Sequence, residues 1–126
     1  ILPEDIIRSI RQHPRAKVIA HPECTPEVIA LADEALSTGK TCEYVKKSEA
    51  KEFVIATEVG LVYRLQQDNP GKKFYPASEL AVCPNMKRTN LEKVLWSLEE
   101  MKDEVTVPDG IRKAAKKAID AMLSIV

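Results

Sequence analysis

The 126-residue chain has no excess of charge of either sign, since 19 Lys and Arg balance 19 Asp and Glu. Without a net field, binding to nucleic acid or an anionic membrane surface is not expected. No apolar run approaches the roughly 20 residues that span a bilayer, and no charged start followed by an apolar stretch marks a signal peptide. Cysteine is scarce: three residues, at positions 24, 42 and 83, are an odd number at irregular spacing and make no disulfide framework. The chain is therefore expected to be cytoplasmic, where such thiols serve packing, catalysis or metal binding. GxSxG, HExxH, EF-hand and GxGxxG patterns are all missing, so hydrolase, zinc-protease and dinucleotide readings lack support.

What is present is an ordinary globular composition, 44% hydrophobic and 30% charged, in a length that buries a core without staples. The first residues already read as a helix, and the chain is expected to be a piece of a longer protein. Pro3-Glu4-Asp5 followed by Ile6, Ile7 and Ile10 opens that helix, which should end near His13-Pro14. Lys17-Val18-Ile19-Ala20 reads as a strand buried on both faces. Thr25-Pro26-Glu27 then starts a helix whose apolar side runs through Val28, Ile29, Leu31, Ala32 and Ala35.

The alternation continues with a short helix over about residues 41–47, a strand at Phe53-Val54-Ile55-Ala56, a helix from Gly60 to Gln67, and a strand at Lys73-Phe74-Tyr75. Leu80-Ala81-Val82 reads as one more apolar strand. Thr89-Asn90-Leu91-Glu92 is a capping box for a helix carrying Leu91, Val94, Leu95 and Leu98. Ile111, Ala114, Ala115, Ala118, Ile119, Met122, Leu123 and Val126 fit a 3.6 period for a closing helix. The expected architecture is one α/β domain of three αβα layers with a short, mainly parallel sheet: a leading helix over 1–14, an αβα core over 15–107 and a closing helix over 108–126. Such sheets bind ligands outside the carboxyl ends of their strands, where His21-Glu23, Thr57-Glu58 and Cys83 would fall.

His21 and Glu23 lie two apart at a strand end, and an extended backbone would aim both at one substrate. A histidine and a carboxylate can move protons or hold a carboxylated ligand; an acid and a histidine that tie down a loop would use the same residues. Cys24 would point the other way as a small buried thiol, and Cys42, on a helix, is also read as packing. Cys83 differs because Cys83-Pro84-Asn85-Met86-Lys87 is a loop where a thiolate can face a cleft and bind an iron-sulfur cluster or zinc. Ser37-Thr38-Gly39-Lys40-Thr41 looks like the end of a P-loop, but Glu34 stands where the first glycine is required and a helix precedes it. Its hydroxyls suit an anion or simply cap a turn. Glu58 is either a site acid or a helix-start carboxylate.

Ala16 to Cys24, Ala56-Thr57-Glu58-Val59-Gly60-Leu61, Asn69 to Pro76 and Cys83 to Arg88 together resemble the C-terminal part of the quinolinate synthase family, in its order and at about its spacing. Leu91 to Leu98 continues the likeness, which covers essentially the whole chain. The resemblance implies one of three similar α/β domains around a central site, the two preceding domains lying outside this chain. It implies condensation of iminoaspartate with dihydroxyacetone phosphate to quinolinate for NAD biosynthesis, on a [4Fe-4S] cluster held by three cysteines. Residue by residue it makes His21 and Glu23 substrate-binding and catalytic, Ser37 and Thr38 a substrate-binding turn, and Cys83 the last cluster ligand, while Cys24 and Cys42 match no ligand. The family's usual glycine before Ser-Thr is Leu36 here. The chain alone is expected to hold no stable cluster, to make no quinolinate, and to self-associate through faces built for its neighbours. Two other readings remain open: a non-catalytic interaction module that kept the fold, and a zinc site pairing Cys83 with His21 or Cys24.

Overall fold

A computed structural model describes residues 1–101 and 104–125. The chain divides into two compact units, Ile1–Pro84 and Asn85–Val126. In the first, helix α1 (Pro3–Gln12) precedes strand β1 (Lys17–Ala20), helix α2 (Pro26–Ile29), strand β2 (Glu34–Ala35), helix α3 (Thr38–Lys47), strand β3 (Glu52–Ala56), helix α4 (Gly60–Asp68) and strand β4 (Lys73–Pro76). The strands form one sheet in the order β2-β1-β3-β4, and each adjacent pair is parallel. Every strand therefore delivers its carboxyl end to the same edge.

The alternation of side chains along each strand builds two cores from one sheet. Val18, Ala20, Val54 and Ala56 face α1 and α2, where Ile6 and Val28 complete a buried cluster. Ile19, Phe53, Ile55 and Phe74 face the other way, against Val45 of α3 and Leu65 of α4. Phe53 and Phe74 stack with ring centroids 5.5 Å apart. This is the expected three-layer αβα arrangement, and the near-continuous apolar runs of β1 and β3 follow from burial on both faces.

Helix α3 starts at Thr38, three residues before the expected position, and two further departures have local reasons. Helix α2 stops at Ile29, and Glu34-Ala35 forms β2 in place of its expected last turn. Asp33 causes the change: its Oδ2 accepts from Val18 N at 2.8 Å, its Oδ1 accepts from Lys17 Nζ at 2.8 Å, and its own N donates to Val18 O at 2.9 Å. Chain pinned to β1 in this way pairs with it rather than continuing a helix, with Ile19 opposite Glu34 and Ala20 opposite Ala35. Burial works against the Asp33 carboxylate, but the hydrogen bonds from Lys17 and Val18 and the charge of Lys17 outweigh it and hold its carboxyl below the usual range. The second departure is Leu80-Ala81-Val82, which is no strand. Tight turns close it, Ala81 N to Ser78 O at 3.1 Å and Val82 N to Leu80 O at 2.8 Å, and one bond from Val59 N to Ala81 O anchors it.

In the second unit, helix α5 (Leu91–Glu100) is capped by Asn90, whose side chain accepts from Lys93 N, so the cap falls one residue after Thr89. Helix α6 (Asp109–Leu123) covers the expected closing helix, whose last apolar position, Val126, lies outside the described residues. Neither helix has a buried residue. No helix among the described residues is long and apolar enough to cross a membrane.

Candidate functional site

The candidate residues gather at the common carboxyl edge of the sheet. After β1 the chain turns at once: Cys24 N donates to His21 O at 3.0 Å, closing a four-residue turn over His21–Cys24. The segment is thus not extended, and the strand alternation expected of it does not apply. His21 remains tied to the sheet through its N–H to Ala56 O at 3.3 Å, with three-quarters of its side chain covered. Glu23 swings out to the rim, 90% exposed, with a carboxylate oxygen 3.9 Å from His21 Nδ1. Cys24, expected to point away from both, lines the same cleft, and its Sγ donates to Ala56 O at 3.6 Å.

The turn also sets the imidazole. The backbone N–H of Glu23 donates to His21 Nδ1 at 3.2 Å. A ring nitrogen that accepts carries no proton, so in the neutral ring the proton resides on Nε2. His21 therefore offers a ligand a hydrogen-bond donor, and the carboxylate of Glu23 supplies the acceptor beside it.

An open cleft of about 430 Å³ gathers these groups, lined by His21, Glu23, Cys24, Thr57, Glu58 and Cys83 together with Ile1, Leu80, Ala81 and Val82. Cys83 reaches it because the bond from Val59 to Ala81 holds the Ser78–Cys83 loop against the start of α4. Glu58 accepts from Gly60 N at 2.7 Å, so it serves the backbone at the start of α4 while also bordering the cleft. A cleft of this size has room for a small ligand.

Ser37 and Thr38 lie at the start of α3, as its N-cap and first residue, one position past Leu36. Thr38 does not border the open cleft. It lines an adjoining crevice too narrow for a water molecule, together with His21, Thr41 and Thr57. Ser37 lines neither. The departure at Leu36 has a structural reason: its N–H extends the β1–β2 ladder to Ala20 O at 2.9 Å, and its side chain packs on the core cluster beneath α3 and α4. Cys42 packs on that same cluster. Reasoning from sequence missed the apolar cleft wall of Leu80, Ala81 and Val82, because a run read as strand gives no hint that it turns toward a cleft. Among the described residues no three His, Cys, Asp or Glu side chains converge as a metal-holding group.

The family model described as quinolinate synthetase A protein matches residues 1–124. A quinolinate synthase of Dehalococcoides mccartyi (strain CBDB1) is 52% identical over 126 residues, all of this chain and 42% of that protein. One from Methanosarcina barkeri is 53% identical over 125 residues, 99% of this chain and 41% of that protein, and one from Thermodesulfovibrio yellowstonii is 48% identical over 123 residues. The chain thus spans about two fifths of the length of the relatives it matches. With a family match over nearly its whole length and identities near one half, the chain belongs to the quinolinate synthetase A family.

Proposed function

We propose that this chain forms one wall of an active site that condenses iminoaspartate with dihydroxyacetone phosphate to quinolinate in NAD biosynthesis, within a longer cytoplasmic polypeptide whose remaining domains close the cleft. The observation that carries the reading is the meeting of His21, Glu23 and Cys83 in one open cleft at the carboxyl edge of the sheet. The family resemblance adds a [4Fe-4S] cluster held by three cysteines. The donor set here fits a third of it: Cys83 borders the cleft from a loop, whereas the Cys24 thiol donates to Ala56 O and Cys42 packs on the core. When bound, such a cluster supplies an open iron as a Lewis acid that assists loss of water.

The chain's own residues then have defined tasks. His21, its Nδ1 held by the Glu23 amide, donates from Nε2 to an oxygen of the bound intermediate and polarises it. Glu23, exposed on the rim beside the imidazole, takes and returns protons in the dehydration and tautomerisation steps. Ser37 and Thr38 bind carboxylate or phosphate oxygens once ligand opens the crevice beside α3. The isolated chain, with one thiolate in place, neither assembles the cluster nor turns over.

The test uses the full-length protein. Glu23→Gln should lower turnover by about 10²-fold or more, in the range of positioned acid–base groups, while leaving the visible absorption and the iron and sulfide content intact. Cys83→Ser should remove iron and sulfide. Unchanged turnover in the first variant sinks the proton-transfer role, and full iron and sulfide content in the second sinks the ligand role.

A further inference from the structure

The crevice beside α3 and the open cleft share two lining residues, His21 and Thr57. Their adjacency follows from register. Ala20 of β1 pairs with Ala56 of β3, the next residues are His21 and Thr57, and the bond from His21 N to Ala56 O carries the ladder one step past the strands. Side chains in register on neighbouring strands stand on the same face, so Thr57 stands beside the imidazole. It is half-buried, and its hydroxyl donates no hydrogen bond to any described residue. Thr38 borders the crevice and not the cleft, and Glu23 and Cys83 border the cleft and not the crevice. Thr57 and His21 thus stand between Thr38 on one side and the acid and thiol on the other.

The geometry points to Thr57 as a further substrate-contacting residue, its hydroxyl donating to an anionic oxygen, carboxylate or phosphate, of the substrate held beside His21. This rests on the function proposed above. A β-branched residue at a strand end also has a structural explanation, but valine would serve that purpose equally well and has nearly the same shape. The hydroxyl is what a ligand would use.

The experiment is steady-state kinetics of the full-length enzyme carrying Thr57→Val and Thr57→Ser, with KM measured separately for the dicarboxylate imine and for the triose phosphate. Thr57→Val should raise KM for one of them roughly tenfold or more, the loss expected for a hydrogen bond to a charged group, with the cluster absorption and melting temperature unchanged. The substrate whose KM moves identifies the oxygen, carboxylate or phosphate. Thr57→Ser should return KM to within about threefold of wild type. If Thr57→Val does not fold, Thr57→Ala is judged by the same criteria. KM within about twofold of wild type for both substrates, or a Thr57→Ser enzyme as impaired as Thr57→Val, overturns the assignment. Wild-type protein that forms no quinolinate overturns instead the function on which it rests.

Discussion

Asp33 is the residue on which the edge strand depends, and replacing it separates two kinds of stabilisation. Strand β2 pairs with only Ile19 and Ala20, so the N–H of buried Val18 has no strand partner on that side and takes Asp33 Oδ2 instead, at 2.8 Å. Asp33→Ala leaves that amide unsatisfied, which costs about 1–3 kcal/mol. It also removes the ion pair with Lys17, where 47% and 37% of the two side chains stay exposed; pairs in such positions contribute only about 0–1 kcal/mol. The expected loss is about 2–3 kcal/mol for Asp33→Ala. Asp33→Asn keeps an acceptor for Val18 and loses the charge, so about 1 kcal/mol is expected. With a urea slope of about 1–3 kcal/mol/M, the alanine variant should unfold at a midpoint roughly 1 M lower and the asparagine variant by less than half of that. Equal shifts in the two variants would refute the backbone role and assign the whole effect to charge.

The same residue has a pH signature. Its carboxyl is held below its ordinary value of 3.8 in the folded state, so its contribution is present above 3.8 and disappears as pH falls through the depressed folded value, because the unfolded chain takes up the proton first. Lys17 runs the other way: its hydrogen bond to Asp33 and the carboxylate's charge raise it above 10.5, so its contribution is full below 10.5 and is lost as pH rises through the folded value. An Asp33→Asn variant whose acid unfolding matches that of wild type would contradict this assignment.

Phe53→Ala, which empties the centre of the core beneath α3 and α4, should cost about 3–5 kcal/mol by urea unfolding; a loss under about 1 kcal/mol would mean that the site refills. Lys72 donates from Nζ to the Val45 and Ser48 carbonyls at the end of α3 and sits 5.6 Å from the Phe53 ring centroid; Lys72→Met should cost about 1–2 kcal/mol in the same assay. Burial and then the nearby Lys51 charge lower the Lys72 pKa from 10.5, so the folded state sheds its proton first and wild-type stability should gain a rising component toward pH 10.5 that Lys72→Met lacks. In the full-length enzyme, His21→Gln, whose amide nitrogen mimics Nε2, should keep more kcat/KM than His21→Asn, which mimics Nδ1. The reverse order would refute the donor role of His21.

The fold was legible wherever burial dictated the pattern. Lys17–Ala20 and Phe53–Ala56 lie on two covered faces, so their apolar runs had no competing interpretation. Helix starts marked by Pro3 and by Pro26 were equally readable, because proline at a first turn costs no hydrogen bond. Misreadings fell where a tertiary partner outweighed local preference. Leu31, Ala32 and Ala35 keep a helical period, but Asp33 finds the free amide of Val18, an acceptor–donor match that no window of neighbouring residues reveals. Leu80-Ala81-Val82 lines a cleft, and a backbone bond from Val59, at the start of α4, reaches it. Apolarity alone does not distinguish a strand from a cleft wall.

The site shows the same division between residue types and their arrangement. His21, Glu23 and Cys83 could be selected from chemistry and resemblance, and all three border one cleft. Their geometry was not accessible, because it hangs on one backbone bond. With Cys24 N bound to His21 O, the chain reverses within four residues, the amide of Glu23 meets Nδ1, and the carboxylate stands exposed on the rim, 3.9 Å from the imidazole. An extended segment would have left Nδ1 free and the tautomer undetermined; the turn places the proton of the neutral ring on Nε2. An imidazole with its donor held on Nε2 and an exposed carboxylate beside it can present a donor and an acceptor to one ligand. On the proposed function, this pairing of donor and acceptor depends on the turn, and changes that straighten His21–Cys24 should lower kcat/KM of the full-length enzyme even with both side chains retained.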